Sequence, residues 1–308
     1  MLDMNNDTRA AILAISVIIP LSAFALWSSE HNNVTGFAEK HQLKVLASFY
    51  PLYEFTKIIG GERIDVSIII PPGIEPHDWE PTIQDLQKMQ NADMIVINGA
   101  GLEPWIAKLV SINPDILIVD TSSGISLLKK GKHVFDNKIQ NDPHVWLDPV
   151  LAKKQIQNIA NGLAKIDPQN TNYHQENANA YNTKLSLLDN KIRNELSVCV
   201  KKDFLAFHDA FSYFANEYDL NQNTIIGVDP SEEPTATTLQ QIIQKAQNLD
   251  LHIIFTEEAV NPRVSEVIAD EIGAKVLILS PIEIYEKNSD YIKRMEQNLL
   301  NLKEELCS

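Results

Sequence analysis

The stretch NYHQENANAYNTKLSLLDNKIRNELSV, residues 172–198, contains neither glycine nor proline. Its apolar residues recur at a three-four spacing and predict one buried stripe along a single α-helix: Ala178, Tyr181, Leu185, Leu188, Ile192 and Leu196. Such a helix of about 27 residues is about 40 Å long. A helix of this length between two α/β blocks either crosses a core or connects two lobes. We predict that it connects two lobes.

On both sides of this helix, short β-branched segments alternate with helical ones. The predicted strands before it are 43–49, 64–70, 94–98 and 116–119, and those after it are 203–207, 224–227, 253–256 and 275–279. Nearly continuous apolar strands in a βα repeat are typical of parallel sheets covered on both faces. The predicted fold is therefore α/β, with two lobes, each a small parallel sheet flanked by helices. The lobes are 43–168 and 199–308, joined by one long connecting helix at 169–198.

The charge balance narrows the choice of partners. The 308 residues include 41 acidic and 26 basic side chains, which gives a formal net charge of −15. A protein that binds nucleic acid needs a clustered basic face, and the sequence contains no such run. We therefore predict no nucleic-acid partner.

The first thirty residues differ from the rest of the chain. Residues 10–27, AAILAISVIIPLSAFALW, carry no charge, and Ala23-Phe24-Ala25 has the small-residue pattern of a cleavage site. The length of this run lies between that of a signal peptide and that of a short membrane anchor. We assign 1–30 as one or the other and 31–42 as a linker. The protein is then exported to the extracellular face of the cytoplasmic membrane or to a periplasm-like space.

The chain has two cysteines, Cys199 and Cys307, and neither belongs to a C-x-x-C pair. An even number of cysteines in an exported protein favours a disulfide over two separate buried thiols. We therefore predict a bond between Cys199 and Cys307.

Three of the eight histidines lie where metal ligands are expected. His77 occurs in PPGIEPHDWEPT (71–82) after a predicted strand, His208 follows another strand in FLAFHDAF (204–211), and His144 occupies a proline-bounded turn in NDPHVWLDP (141–149). Ligands of open α/β sheets bind beyond the carboxyl ends of the strands. Neutral imidazole suits zinc, copper, iron and nickel, and a stiff Pro/Gly loop would hold a ring in place without the metal. Each histidine taken alone is equally compatible with a purely structural role.

Several further segments carry a family resemblance. GIEPHDWEPT, NGAGLEPW (98–105), DPHVWLDP, FLAFHDAFSYFANEYDL (204–220), FTEE (255–258) and IGAKVLIL (272–279) resemble, in the same order, the zinc/manganese solute-binding proteins of ABC transporters. That family includes periplasmic receptors and adhesin-like lipoproteins. The resemblance extends from residue 43 to the C-terminus. It implies two βα lobes joined by a long helix, with a metal held in the cleft between them.

The resemblance also implies a ligand set. His77, His144 and His208 match the family's three nitrogen ligands, but the aspartate that many members carry after the last strand is Ser280 here. The fourth ligand is then water or a carboxylate, and the candidates are Ser280, Glu283, Glu75 and Asp209. Glu257 is placed either to orient a ligand histidine or to cap a helix. Three histidines without that aspartate favour Zn²⁺, with Mn²⁺ as the alternative.

The predicted function is therefore a monomeric binding protein that captures a divalent metal and delivers it to the membrane permease of an ABC transporter. Within the family, the alternatives are a manganese or iron receptor and an adhesin. The alternative from another class is a zinc hydrolase, because three histidines with an open fourth position are typical of hydrolytic zinc sites. The sequence has no H-E-x-x-H motif to support an enzyme.

Overall fold

The computed structural model of the protein describes residues 42–129, 141–228, 230, 234–258 and 260–308. The predicted leader 1–30 and nearly all of the predicted linker 31–42 lie outside these residues. The described chain from Gln42 to Ser308 forms one compact unit. Within the described part of the chain, no helix has the length and apolar character needed to cross a bilayer.

The first half of the chain forms a parallel four-stranded sheet. Its strands are β1 (Leu43–Ala47), β2 (Ile64–Ile68), β3 (Met94–Ile97) and β4 (Leu117–Asp120). Their spatial order is β2-β1-β3-β4, and every pairing is parallel. All four residues of β3 are buried, as expected of a central strand covered by helices on both faces.

The second half repeats this arrangement. Its strands are β5 (Asp203–Ala206), β6 (Asn221–Thr224), β7 (Ile253–Thr256) and β8 (Lys275–Ile278), in the order β6-β5-β7-β8 and again all parallel. The predicted fold class, with two lobes built on small parallel sheets, is therefore confirmed.

One predicted strand was wrong. The sequence predicts a strand at 224–227, but the strand is Asn221–Thr224, whose sequence is NQNT. Among the described residues, β6 lies at the edge of its sheet and pairs with β5 alone. An edge strand does not need apolar side chains on both of its faces, so a polar tetrapeptide can form this strand. Ile225 and Ile226 follow it and are buried in the second lobe's core.

Nine α-helices occur in the described residues. In chain order they are α1 (Tyr50–Gly60), α2 (Ile83–Met89), α3 (Ile106–Ile112), α4 (Pro149–Ile166), α5 (Thr171–Ser197), α6 (Ser212–Glu217), α7 (Ala236–Asn248), α8 (Arg263–Ile272) and α9 (Tyr291–Leu306).

The long helix α5 connects the two lobes, as predicted. Its buried apolar residues are the predicted ones: Ala178, Tyr181, Leu185, Leu188, Ile192 and Leu196. This stripe packs against α1 and α4 of the first lobe and against α9 of the second. It belongs to one hydrophobic core that also includes residues of both sheets. The helix is therefore part of a shared core as well as a connection.

Polar bonds reinforce the shared core where α1 meets the start of α9. The carboxylate of Glu54 accepts hydrogen bonds from the backbone N–H of Tyr291 at 3.1 and 2.9 Å and from the hydroxyls of Tyr50 (2.5 Å) and Tyr181 (3.1 Å). A carboxylate at a helix N-terminus satisfies free N–H groups and complements the helix dipole. This one joins the two lobes with α5.

The predicted disulfide is present. Cys199 follows α5, Cys307 follows α9, and the two are bonded with their Cα atoms 4.3 Å apart. The bond closes a loop with a sequence separation of 108, which contains nearly all of the second lobe.

Candidate metal centre

The second lobe brings His208 and Glu257 together through its strand order. β5 ends two residues before His208, β7 ends immediately before Glu257, and these strands are neighbours in the sheet. Parallel strands that are adjacent in space end at the same edge, which is where ligand sites of open sheets lie. His208 Nδ1 is 2.6 Å from Glu257 Oε1, and both side chains are buried.

The turn before α4 positions His144. Asp142 Oδ1 accepts a hydrogen bond from the His144 backbone N–H at 3.0 Å and lies 2.8 Å from the ring Nδ1. The carbonyl of Pro143 accepts a hydrogen bond from Asn98 Nδ2 at 2.8 Å, which fixes the turn to the end of β3. Asp148 then caps α4 by accepting from the N–H of Val150 at 2.7 Å.

In the first lobe, the edge of the sheet is occupied by a buried carboxylate. Glu103 accepts hydrogen bonds from the Ser48 hydroxyl (2.7 Å), the Asn98 N–H (2.8 Å) and the Gly99 N–H (3.0 Å). Burial raises the pKa of Glu103 to about 7. Ser48 and Asn98 each follow a central strand, so Glu103 stabilises the strand ends to which the His144 turn is attached.

His77 lies in the loop that follows β2. Its backbone N–H donates to Glu75 Oε1 at 3.3 Å, and its side chain is 11% exposed. The other residues of the candidate centre have side chains that are at most 1% exposed. Solvent therefore reaches the candidate centre on the side of His77, and the other ligand side chains are buried.

Four side chains converge on one point: His77, His144, His208 and Glu283. One nitrogen or oxygen atom from each lies within 4.8 Å of the other three. His144 Nε2 is 3.1 Å from His77 Nε2 and 3.2 Å from His208 Nε2, and Glu283 Oε1 is 3.7 Å from His77 Nε2 and 3.6 Å from His144 Nε2. Atoms about 2.0–2.1 Å from a zinc ion at the corners of a tetrahedron lie about 3.3 Å apart. These four distances, of the six between the four atoms, are close to the edge length of a tetrahedral zinc site.

Hydrogen bonds behind two of the rings determine which nitrogen faces the centre. An ionised carboxylate can only accept hydrogen bonds. Nδ1 of His144 therefore carries a proton and donates to Asp142, and Nδ1 of His208 donates to Glu257 in the same way. In neutral imidazole the lone pair is then on Nε2 and points into the centre. Such carboxylate partners orient metal-binding histidines and increase their basicity.

Burial and charge act in opposite directions on these groups. Burial lowers the pKa of His144. Burial also opposes the charged form of His208, but the negative charge and hydrogen bond of Glu257, together with Glu283 and Glu75, raise its pKa to about 9. A protonated His208 can donate from Nε2 toward His144 Nε2, which is 3.2 Å away.

The pKa values of two carboxyl groups near the histidines, Glu283 and Glu75, are also raised. Burial raises the pKa of Glu283 to about 7. Burial and the neighbouring charge of Glu283 raise the pKa of Glu75 to about 8. A divalent cation bound by Glu283 would displace the proton of that carboxyl group and offset its negative charge.

The four candidates for the fourth ligand lie in different surroundings. Glu283, in the segment after β8, joins the histidines, and Glu75 lies next to His77. The Ser280 hydroxyl instead accepts a hydrogen bond from Arg294 at 2.6 Å, and Asp209 accepts from Ser212 and Gln222 at 2.9 and 3.0 Å. Ser280 and Asp209 are not among the converging side chains.

Several residues of this region have a role that local sequence does not reveal. Asp142 lies within the quoted DPHVWLDP segment, two residues before its histidine, and that short spacing was the available signal. Glu103 lies within NGAGLEPW, but its partners come from two strands that are distant in sequence. Arg294 belongs to a helix that the sequence analysis did not identify. No local pattern distinguishes it from a surface arginine.

Comparison with known proteins gives the family. Residues 45–305 match the family described as zinc-uptake complex component A, periplasmic. The chain belongs to this family. The zinc-uptake family's two-lobed α/β fold is the one described above, and its members are solute-binding transport proteins.

Individual relatives agree with this assignment. The high-affinity zinc uptake system protein ZnuA of Bacillus subtilis is 38% identical over 280 residues, covering 86% of this chain and 88% of the relative. The crystal structure of the Zn(II)-bound ZnuA-like domain of Streptococcus pneumoniae AdcA is similar with a TM-score of 0.77 and 32% identity, covering 87% of this chain and all of that domain. The laminin-binding protein of Streptococcus agalactiae, described as having adhesin and metal-transporting activity, gives a TM-score of 0.79 and 31% identity over 86% of this chain and 99% of the other.

Proposed function

We propose that this protein binds one zinc ion through His77, His144, His208 and Glu283 and delivers it to an ABC permease. The observation that carries the proposal is the convergence of three ring nitrogens and one carboxylate oxygen within 4.8 Å of one another. Two of the rings have carboxylate partners that fix the tautomer needed for binding. The zinc ion is the cargo of this protein.

The ligand set supports zinc over manganese. Imidazole nitrogens suit zinc, whereas Mn²⁺ prefers sites that supply more oxygen. The four distances of 3.1–3.7 Å that involve His144 or Glu283 are compatible with four-coordinate geometry, which zinc commonly adopts. The names of the relatives from B. subtilis and S. pneumoniae also refer to zinc.

A closed set of four protein ligands argues for a receptor over a hydrolase. A catalytic zinc site keeps one position open for water or substrate, whereas in the proposed site Glu283 would fill that position. We therefore expect the zinc-loaded protein to show no steady turnover of a model ester. Turnover that disappears in a His77→Ala variant would contradict this expectation.

The compartment, domain boundaries and oligomeric state form a second part of the proposal. We propose that the protein is a monomer, exported by the apolar segment 10–27, with lobes at 43–168 and 199–308 joined by helix 169–198. The disulfide supports export, because disulfides persist in oxidising compartments. The mass of the mature protein purified from its host distinguishes cleavage near residue 25 from retention of the segment as an anchor.

The experiment that tests the function is metal analysis followed by titration. Native mass spectrometry of protein purified without added metal should show one zinc ion per chain. His77→Ala should weaken zinc binding by at least about 100-fold, since a ligand is lost. The matched control is His252→Ala, because that ring is 58% exposed and is not among the converging residues. Tighter manganese than zinc binding, or equal affinities for the two variants, would refute the proposal.

A further inference from the structure

The segment that carries Glu283 has an unfavourable backbone conformation. Ile282, the residue before it, has φ of 60° and is fully buried. A β-branched residue rarely adopts the left-handed region, because its side chain crowds the backbone there. Such a conformation persists only where the surrounding structure holds the chain in place.

Hydrogen bonds hold this segment on several sides. The backbone N–H and C=O of Ser280 both pair with the Asn298 side chain, at 2.8 and 2.7 Å. The Ile282 N–H donates to the Ser280 hydroxyl at 3.1 Å. The Pro281 carbonyl accepts from Trp146 Nε1 at 2.7 Å, and this bond comes from the other lobe.

Arg294 of α9 makes the remaining contacts, on both sides of Glu283. Its Nη1 donates to the Ile284 carbonyl, and its Nη2 donates to the Ser280 hydroxyl at 2.6 Å. The same Nη2 is 2.6 Å from Glu258 Oε1, in the loop that follows β7. The guanidinium is only 4% exposed. A planar fork of this kind can hold two chain segments in one fixed relation, which a lysine cannot do.

We propose that Arg294 is a positioning residue that holds Glu283 in place as the fourth zinc ligand. It bonds to the backbone and to Ser280 on either side of the glutamate, and it fixes the segment that contains strained Ile282. Without these bonds the backbone at Ile282 would relax, and the Glu283 carboxylate would move away from the three histidines. The inference rests on the proposed zinc site.

The sign of the effect separates positioning from simple electrostatics. A guanidinium near the site repels Zn²⁺, so removing its charge alone would strengthen zinc binding. Removing a positioning residue weakens metal binding, by about 10- to 100-fold for groups that orient ligands. The two roles therefore predict opposite changes for the same substitution.

The test compares Arg294→Met with Lys293→Met by chelator competition at pH 7.5. Lys293 precedes Arg294 on α9 and carries the same charge, but its side chain is 65% exposed and pairs with Asp290 at 3.2 Å. We expect Arg294→Met to weaken zinc binding at least about tenfold and Lys293→Met to leave it within about threefold of wild type. The visible absorption of the Co²⁺-loaded protein should also change in Arg294→Met, because loss of a carboxylate ligand alters the coordination geometry.

A double-mutant cycle shows whether the effect passes through Glu283. In a Glu283→Gln background, Arg294→Met should change zinc affinity by less than about threefold, because the ligand it positions is already altered. Equal losses in both backgrounds would overturn the inference, as would unchanged or stronger binding in the single variant.

Arg294→Lys serves if Arg294→Met does not fold. It keeps the buried charge but not the two-nitrogen fork, and we expect a measurable loss of affinity together with the altered Co²⁺ spectrum. Wild-type affinity in a folded Arg294→Lys protein would overturn the inference. Wild-type protein that binds no zinc would overturn the proposed function itself, so the two failures are distinguishable.

Discussion

Zinc affinity should depend on pH well above the range in which free imidazole titrates. In the metal-free protein, the charge of Glu257 outweighs the effect of burial and raises the pKa of His208 to about 9, and burial raises that of Glu283 to about 7. Both groups must lose their protons to bind zinc. The sign is the same for both, because protons compete with zinc below each pKa. Affinity therefore falls as the pH is lowered through about 9 and falls more steeply below about 7.

These two pKa values determine the size of the effect. Zinc binding should release about one proton at pH 8 and about two at pH 6, so affinity should fall by about 1,000-fold between these pH values. Three imidazoles with the ordinary pKa of about 6.5 would give a decrease of only about 60-fold, and almost no proton release at pH 8.

The assay is zinc titration between pH 6 and pH 9 in competition with a chelator, combined with calorimetry in buffers of different ionisation enthalpy. The Glu257→Gln variant should release far fewer protons at pH 8, because the charge that raises the pKa of His208 is gone. Glu296→Gln, which removes an exposed carboxylate paired with Lys191, is the control for the change in net charge. Proton release near zero at pH 8 in the wild-type protein would refute the reasoning.

Three further outcomes are expected. Asp142→Asn should weaken zinc binding by about 10- to 100-fold, because the His144 imidazole loses its charged partner. Chelator competition measures the affinity, and urea unfolding should show little change in stability. Wild-type zinc affinity in this variant would show that the carboxylate is dispensable. Replacing Cys199 and Cys307 with serine should lower the free energy of unfolding by about 2–5 kcal/mol and leave zinc affinity constant. An unchanged free energy of unfolding would mean that the disulfide does not stabilise the fold. Leu185→Ala should lower the free energy of unfolding in urea by about 2–5 kcal/mol, because this side chain is fully buried on α5. The control Leu187→Ala, at a residue 66% exposed, should lower it by less than about 0.5 kcal/mol. Equal losses would contradict the shared core.

The sequence predicted those features that depend on local periodicity. The apolar stripe of α5, the central strands and the positions of the three histidines relative to strand ends are all expressed within short segments. β6 could not be predicted in this way, because NQNT has no apolar pattern and is a strand only through its pairing with β5. The terminal helix α9 was also not identified, although it carries Arg294 and packs against α5.

The candidate site could be predicted only in part, for a similar reason. Whether Glu283 or Ser280 faces the histidines depends on the path of the segment after β8. That path is set by Asn298, Arg294 and the other lobe's Trp146, none of which is close to Glu283 in sequence. Contacts of this kind are specified by tertiary structure, so sequence spacing left several candidates open.

The unequal exposure of the ligands has a consequence for the rate at which zinc leaves. An incoming ligand can approach on the side of His77, whose side chain is 11% exposed, whereas those of His144, His208 and Glu283 are at most 1% exposed. Exchange would then begin when the incoming ligand replaces His77 on the zinc ion. It would proceed through a complex in which this protein and the incoming ligand both bind zinc. Loss of zinc would depend on the size and concentration of the competing ligand, while unassisted dissociation would remain slow. Such a receptor retains zinc in dilute solution and releases it to a partner that presents its own ligands on the side of His77.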